Sequence, residues 1–292
     1  MGTLSPSAGG FGAMRGPDIH IAAPSLQLCF YRINIVRQDT TSERRGRSFG
    51  SVSNDYNRFR PGPPDEAVEW LLPAGASRVL EIGAGTGALT RKLVRRVDQV
   101  LAVEPDGRMR AVLQADTPEA EVVAGQAEDI PADAASFDAV VAASAWHWVD
   151  EERALPEVAR VLRPGGRLAL VWSGPDRSID WMQAVWAGGR TLSHEQRRAM
   201  DSHRSERHTV NLEADSPFDE PERHVIRWTQ RMTKDELVGL AGTYSAIITM
   251  GQTARLEYLD SIARYLANEE QFIGLDVIDV PMGCLCWRAS LR

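Results

Sequence analysis

The sequence predicts an α/β protein built on a doubly wound, mostly parallel sheet with helices on both faces. The first indication is the alternation of short apolar runs with segments of helical periodicity between residues 65 and 173. The second is a glycine-rich turn, formed by Gly83, Gly85 and Gly87, directly after the first apolar run. Open sheets of this class bind ligands at the carboxyl ends of their strands, so this turn predicts a ligand site there.

The elements follow one another in a regular order. A helix is expected over Asp65–Leu72, after the break at Pro61–Pro64. The strands predicted beyond it are RVLEIGA (78–84), QVLAVEP (99–105), AEVVAGQ (120–126), FDAVVAASA (137–145) and RLALVWS (167–173). The helices predicted between these strands are ALTRKLVRRV (88–97), GRMRAVLQAD (107–116) and ALPEVARVL (154–162). Strands alternating with helices indicate a parallel sheet.

The chain divides into four predicted regions. Residues 1–47 are rich in Gly, Ser, Pro and Arg without a sustained period, so we expect a poorly ordered extension or an arm. Residues 48–173 form the ligand-binding core, and 174–218 are interpreted as a helical cap over the ligand edge. Residues 219–292 complete the sheet, with strands at 224–232 and 280–290, an amphipathic helix at 254–266, and a helix opened by the capping box Thr233–Glu236.

Composition excludes several classes of protein. The 292 residues are 43% hydrophobic and carry a net charge of −7, and no apolar run approaches the roughly 20 residues of a membrane helix. The acidic balance disfavours a nucleic-acid binder. Cys29, Cys284 and Cys286 fit neither a disulfide framework nor a zinc site, so we expect a reducing cytoplasm and no metal.

The glycine turn fits two ligands. Gly83, Gly85 and Ala88 match G-x-G-x-x-A, the spacing of a dinucleotide site. Glu81, two residues before the first glycine, favours another ligand, because a carboxylate there repels a pyrophosphate but anchors an ammonium group. The pattern E-x-G-x-G-x-G therefore favours S-adenosylmethionine, which combines an amino group with adenosine.

Two further loops suit a nucleoside. Glu104 ends the second predicted strand, where a carboxylate accepts ribose hydroxyls in either kind of ligand. Met109 lies one helical turn beyond Pro105 and is expected to pack on adenine. At the end of the third strand, the Ala127 amide and an acceptor from Gln126 or Glu128 are expected to read the adenine edge.

These residues together resemble a known family. The segments VLEIGAGTG, LAVEPDGRM, GQAEDIP, SFDAVVAASAWHWVD and EVARVLRPGGRLALV resemble class I S-adenosylmethionine-dependent methyltransferases of the small-molecule type. FGSVSNDYNRFRPGPP, WHW and TYSAI resemble the branch that includes trans-aconitate methyltransferase-like proteins.

The resemblance implies a seven-stranded Rossmann-like sheet whose last strand, 278–290, inserts antiparallel. It also implies a division of the cofactor-binding residues. The residues expected around the methionine part are Glu81, Gly83, Ala84, Gly85 and Gly87. The ribose is expected at Glu104, with Pro105 and Met109 beside it. The adenine is expected at Gln126, Ala127 and Glu128. Many relatives have Asp where this chain has Gln126, which shifts the expected adenine contact toward Glu128.

The expected chemistry centres on the WHW stretch. Methyl transfer needs alignment and exclusion of water, and it needs a base only when the acceptor is protonated. Trp146 and Trp148 are expected to wall the acceptor pocket. His147 is the candidate catalytic residue, either as a base or as a structural residue that fixes the loop.

Other candidates carry less specific signals. Tyr56 and Arg60 are interpreted as substrate or lid residues, with a core tyrosine and a surface arginine as the alternative. His194, His203 and His208 lack the spacing of a metal site and are interpreted as surface or pocket-rim residues.

The leading hypothesis is an enzyme that methylates an O, N, S or C atom of a small molecule. The alternatives are an NAD(P)-dependent oxidoreductase and a non-catalytic partner protein with this fold.

Overall fold

The structure is a computed structural model, and it describes residues 1–2, 57–190, 192–193, 195–196, 208, 210, 212 and 215–292. The chain divides into two compact units, Met1–Thr41 and Ser42–Arg292. Of the first unit only Met1 and Gly2 are described, and neither belongs to a helix or strand. The predicted extension at 1–47 therefore lies, apart from these two residues, outside the described residues.

One sheet organises the second unit. Within the described residues seven strands pair in the order β3-β2-β1-β4-β5-β7-β6. Their bounds are β1 Arg78–Ile82, β2 Gln99–Val103, β3 Glu121–Val123, β4 Phe137–Ala143, β5 Leu162–Pro175, β6 Glu222–Thr233 and β7 Val277–Ser290. Strands β1 to β5 are parallel, and β7 runs antiparallel between β5 and β6. The predicted fold class is confirmed, including the antiparallel insertion of the last strand.

Helices cover both faces because the strands bury both of their faces. The helices are α1 Asp65–Leu71, α2 Thr90–Leu93, α3 Gly107–Asp116, α4 Glu151–Val161, α5 Asp180–Trp186, α6 Lys234–Gly242, α7 Ser245–Ile248 and α8 Gln252–Asn268. Leu80 of β1 packs in one apolar cluster with Val158 of α4, whereas its neighbour Val79 packs in another with Val68 of α1. Adjacent residues of β1 thus pack into two apolar cores, one on each face of the sheet.

A group of helices packs against β6 and β7, which contribute Met232, Val280 and Met282 to the shared apolar cluster. Met182 and Val185 of α5 share an apolar cluster with Leu240 of α6 and Ile262 of α8. The predicted capping box is confirmed: the Thr233 hydroxyl accepts from the Glu236 amide, and the Glu236 carboxylate accepts from the Thr233 amide. Of the predicted cap at 174–218, α5 and a few further positions are described, so the regional bounds stay a prediction.

In the part of the chain that the structure describes, none of the helices combines the length and the hydropathy of a membrane-spanning segment.

Candidate functional site

The glycine turn lies where the sequence places it, at the carboxyl end of β1. Gly83 has φ +62°, a conformation that favours glycine. A Cβ added there would lie 2.5 Å from the Ala145 Cβ, in the loop after β4. The first glycine therefore allows two neighbouring strand ends to touch, which brings the turn against the WHW segment.

Gly85 faces open space instead. It has φ +60°, and the nearest atom to an added Cβ is the Met109 sulfur, 3.9 Å away. A bare backbone bounded by a methionine side chain forms a cradle that a Cβ would partly fill. Gly87 differs again, because a Cβ there would collide with the Leu113 side chain of α3. Ala84, which separates Gly83 from Gly85 in the sequence, is buried.

Glu104 holds this cradle together. One carboxylate oxygen accepts from the Gly85 amide at 2.9 Å, and the other accepts from the Asp106 amide at 2.9 Å. Burial raises the pKa of Glu104, and these two amide bonds oppose the rise. Each carboxylate oxygen can accept a second hydrogen bond, so the side chain retains capacity for ribose hydroxyls.

The N-terminus of helix α3 is held in place beside Glu104. The Asp106 carboxylate caps the helix by accepting from the Arg108 and Met109 amides. Arg110 donates to the Pro105 carbonyl at 2.9 Å. Met109 is buried, and its sulfur lies beside Gly85, while its predicted adenine contact stays a prediction.

Glu81 is the most deeply buried acidic group of the site. Only 1% of the residue is exposed, and its carboxylate accepts from the Thr90 hydroxyl at 2.6 Å. Burial raises the pKa of Glu81 to about 8, with the hydrogen bond from Thr90 opposing the shift and the charge of Glu104 adding to it. The carboxyl group is therefore mostly protonated at pH 7, whereas the sequence argument treated it as charged.

The loop after β3 is hydrogen-bonded to the segment between the WHW stretch and α4. Glu128 accepts from the Asp150 amide at 2.8 Å, just before α4. Gln126 pairs with Asp129 in an isolated β-bridge, and Ala127 is buried. Glu128 thus has a structural contact that the sequence did not reveal, and the predicted adenine contacts of this loop stay a prediction.

The WHW stretch forms a short 3-10 turn, Trp146–Trp148, after β4. Ser144 precedes it with φ +53°, a strained conformation for a residue that has a side chain. Trp146 is buried and donates from its indole nitrogen to Glu151 at 2.8 Å. The His147 ring lies 4.7 Å, centroid to centroid, from the Trp148 ring.

His208 belongs to the same aromatic group. Its ring stacks on Trp172, near the carboxyl end of β5, at a centroid distance of 5.2 Å. It also lies edge-on to His147 at 6.4 Å. Sequence reasoning had placed His208 on the surface or pocket rim, because spacing alone gives no signal for a contact across more than 60 residues. His194 and His203 lie outside the described residues.

Arg60 does not lie free on the surface. It donates from Nε to the Thr243 hydroxyl at 3.0 Å, and its guanidinium carbon lies 3.8 Å from the Tyr244 ring centroid. Tyr56, its predicted companion, is outside the described residues. Thr243 and Tyr244 are therefore the neighbours of Arg60, and the sequence signalled them only through the TYSAI segment.

Comparisons with known proteins agree with this geometry. A family model described as "Methyltransferase domain" matches residues 80–170. An uncharacterized methyltransferase of Mycobacterium tuberculosis is 41% identical over 244 residues, which cover 84% of this chain and 96% of that protein. An uncharacterized methyltransferase of Schizosaccharomyces pombe is 36% identical over 143 residues, or 47% of this chain and 57% of that protein.

Solved structures show the same fold. A methyltransferase structure from Anaeromyxobacter dehalogenans superposes with a TM-score of 0.59 at 25% identity, covering 79% of this chain and 97% of that one. The family match, the relatives and the sheet order agree with the motifs read from the sequence. The chain belongs to the class I S-adenosylmethionine-dependent methyltransferases.

Proposed function

We propose that this methyltransferase transfers the methyl group of S-adenosylmethionine to a small molecule. The observation that carries the proposal is the open cradle at Gly85, bounded by Met109 and flanked by the buried carboxyl groups of Glu81 and Glu104. The two carboxyl groups, which accept hydrogen bonds, and the bare backbone beside Met109 suit a ligand with an amino group, a ribose and an adenine. These residues would hold the cofactor as the sequence predicted, with the methionine part near Gly83 and Gly85 and the ribose at Glu104.

S-adenosylmethionine, when bound, supplies an electrophilic methyl group on a positively charged sulfur. The chain's own residues then have three tasks, which are to align the acceptor, to exclude water and to manage its proton. Trp146 and Trp148 lie in the loop next to the glycine turn and exclude water there. His147 and His208 are the imidazoles within this aromatic group, and His147 takes the acceptor's proton when the acceptor is a phenol, thiol or ammonium.

A dinucleotide is the alternative ligand of the glycine turn. The neutral state of Glu81 removes part of the repulsion that the sequence argument used against a pyrophosphate. The family match nevertheless favours the sulfonium donor, whereas Glu104 suits the ribose of either ligand. Titration of the full chain with S-adenosylhomocysteine and with NADPH by calorimetry separates the two, since NADPH binding without S-adenosylhomocysteine binding would refute the proposal.

The acceptor is found by a second experiment. The full chain is incubated with methyl-labelled donor and a panel of small acids, phenols, thiols and amines, and label transfer is counted. His147→Gln should reduce transfer to a phenol or thiol while leaving S-adenosylhomocysteine affinity unchanged. Donor binding without transfer to any member of the panel would favour the alternative of a non-catalytic partner protein.

The class of acceptor, the binding partners and the cellular location stay predictions from the sequence. We expect a small-molecule acceptor, no nucleic-acid partner and a cytoplasmic location, on the acidic net charge and the cysteine usage. The trans-aconitate-like branch also stays a prediction.

A further inference from the structure

An open cavity, the α7–α8 cavity, lies where helices α7 and α8 meet. Its volume is about 460 Å³, within the roughly 300–1,000 Å³ of small-molecule sites. The described residues that line it are Ile248, Met250, Gln252, Arg255, Leu256 and Leu259. None of them belongs to the glycine turn, the WHW stretch or the predicted cofactor-binding set. The α7–α8 cavity therefore has no assigned role in the proposed methyl transfer.

The wall of the α7–α8 cavity is mainly aliphatic. Ile262 of α8 is fully buried in the helical cluster, whereas Leu256 is 61% exposed and Leu259 is half-buried. Leu256 and Leu259 are three residues apart and therefore lie on one side of the helix. Ile248 and Met250, both half-buried, extend this apolar surface across the cavity. The surface suits the hydrocarbon chain of a ligand, which would remove it from water.

Arg255 brings a positive charge to this wall without a carboxylate to balance it. In the part of the chain that the structure describes, its guanidinium makes one hydrogen bond, a long one of 3.4 Å from Nη2 to the Gly242 carbonyl. Its Nε is buried and has no acceptor among the same residues. The carboxylate of Asp260, further along α8, is paired with Arg264 at 2.9 Å. Because a guanidinium has five N–H donors, the fold leaves most of the donors of Arg255 unused.

The position of Arg255 in its helix also favours an anion. It lies one turn into α8, near the positive end of the helix dipole, where an arginine is unfavourable. The first turn of α8 has no acidic residue, and no side chain caps the helix at Gly251. Proteins commonly place Asp or Glu at such a helix end. An anion from outside the chain would therefore interact favourably with both the guanidinium and the helix dipole.

We propose that the α7–α8 cavity binds a small aliphatic carboxylate. The carboxylate accepts hydrogen bonds from Arg255, and the hydrocarbon chain packs on Leu256 and Leu259. One guanidinium balances one negative charge, which suits a carboxylate better than a phosphate carrying a charge of nearly two. The inference goes beyond the proposed function and does not depend on it, because none of the residues proposed to hold the methyl donor takes part.

The test titrates the full chain with octanoate, octanamide and acetate, with ligand-observed NMR as the readout. Octanamide has the hydrocarbon chain without the charge, and acetate has the charge without the chain. We expect octanoate to bind at least about tenfold more tightly than either, because it combines a charge-assisted hydrogen bond with several buried methylene groups. Saturation with S-adenosylhomocysteine should leave the octanoate affinity unchanged, since the two sites share no residue.

Variants assign the binding to this cavity. Arg255→Gln should weaken octanoate by roughly tenfold or more and leave octanamide unchanged. Leu256→Gln should weaken octanoate and octanamide alike, by at least about fourfold, the factor for one buried methylene group. Leu256 is largely exposed, so this variant keeps the test valid if Arg255→Gln fails to fold. Arg264→Gln is the matched control, because it removes the same charge from an exposed side chain of α8 and should bind octanoate as wild type does.

Three results would overturn the site. The first is that octanoate does not bind, or binds no more tightly than octanamide. The second is unchanged octanoate affinity in Arg255→Gln or in Leu256→Gln, which would place the acid elsewhere on the chain. The third is competition between octanoate and S-adenosylhomocysteine, which would place the acid in the donor site. Failure of the wild-type chain to bind S-adenosylhomocysteine would instead refute the proposed function, and octanoate binding with the expected variant effects would still support the cavity.

Discussion

Ligand binding at the glycine turn should release a proton from Glu81. The pKa of this buried carboxyl group is about 8 in the structure, and an ammonium group of the ligand favours its ionised form. Ionising Glu81 costs on the order of 1 kcal/mol at pH 7 and on the order of 3 kcal/mol at pH 6, because each pH unit below the pKa adds about 1.4 kcal/mol. The dissociation constant of S-adenosylhomocysteine should therefore rise roughly ninefold from pH 7 to pH 6, with about 0.9 proton released at pH 7.

Calorimetry in two buffers of different ionisation enthalpy counts the released protons directly. The ligand's own amino group stays largely protonated over this interval, since its reference pKa is about 8. Glu81→Gln should bind more weakly, release no proton and lose the pH dependence. Glu69→Gln, the same change at an exposed position of α1, should behave as wild type. A wild-type dissociation constant that stays level between pH 6 and pH 7 would refute the reasoning.

The Glu81 carboxyl group also makes the free energy of unfolding depend on pH in the absence of ligand. Because the folded-state pKa of Glu81 lies above the ordinary value of 4.5, its contribution is fully present below about pH 4.5 and is lost as pH rises toward 8. The loss reaches about 3 kcal/mol at pH 7. Urea unfolding should show this decline in wild type and not in Glu81→Gln, and parallel curves for the two proteins would contradict the shift.

Three further predictions follow from single contacts. Gly85→Ala should weaken S-adenosylhomocysteine binding at least about tenfold. Gly165→Ala is the control, because Gly165 also has a positive φ but has open space around it. Each substitution should lower the free energy of unfolding by about 1–2 kcal/mol, and only Gly85→Ala should affect the ligand. Thr90→Val removes a hydrogen bond that lowers the pKa of Glu81, so ligand binding should weaken at pH 7 and recover at higher pH; unchanged affinity across pH would count against that bond. Glu128→Ala should cost about 1 kcal/mol through the lost Asp150 contact in thermal melts, and Glu128→Gln should restore part of it; equal melting temperatures for all three proteins would show that the contact is unimportant.

Local signals in the sequence were enough to predict the sheet and the glycine turn. The strands around Leu80 and Val140 are apolar runs bounded by turn residues, and such runs have few alternatives to a buried parallel strand. The capping box at Thr233 involves residues only three apart, so it too is visible locally. The antiparallel course of β7 came from the family resemblance, since periodicity does not reveal strand direction.

What the sequence could not supply depends on contacts between distant residues. The protonation of Glu81 follows from burial by several elements, and burial shifts a pKa by an amount that no motif encodes. The contact of Glu128 with Asp150 spans 22 residues, and the stacking of His208 on Trp172 joins two regions that the sequence analysis treated separately. The pairing of Arg60 with Thr243 spans 183 residues. The types of side chain predicted which edge of the sheet binds a ligand. Only the folded structure shows which of those side chains lie together at that edge.

The place of β7 in the sheet has a consequence for how the chain assembles. Among the strands that the structure describes, β6 pairs with the sheet only through β7, which comes more than 40 residues later in the sequence. During synthesis β6 and its row of backbone donors and acceptors must wait unpaired until β7 leaves the ribosome. A nonsense mutation that removes β7 would therefore detach β6 as well and expose two strand edges, β5 and β6, to association with other chains.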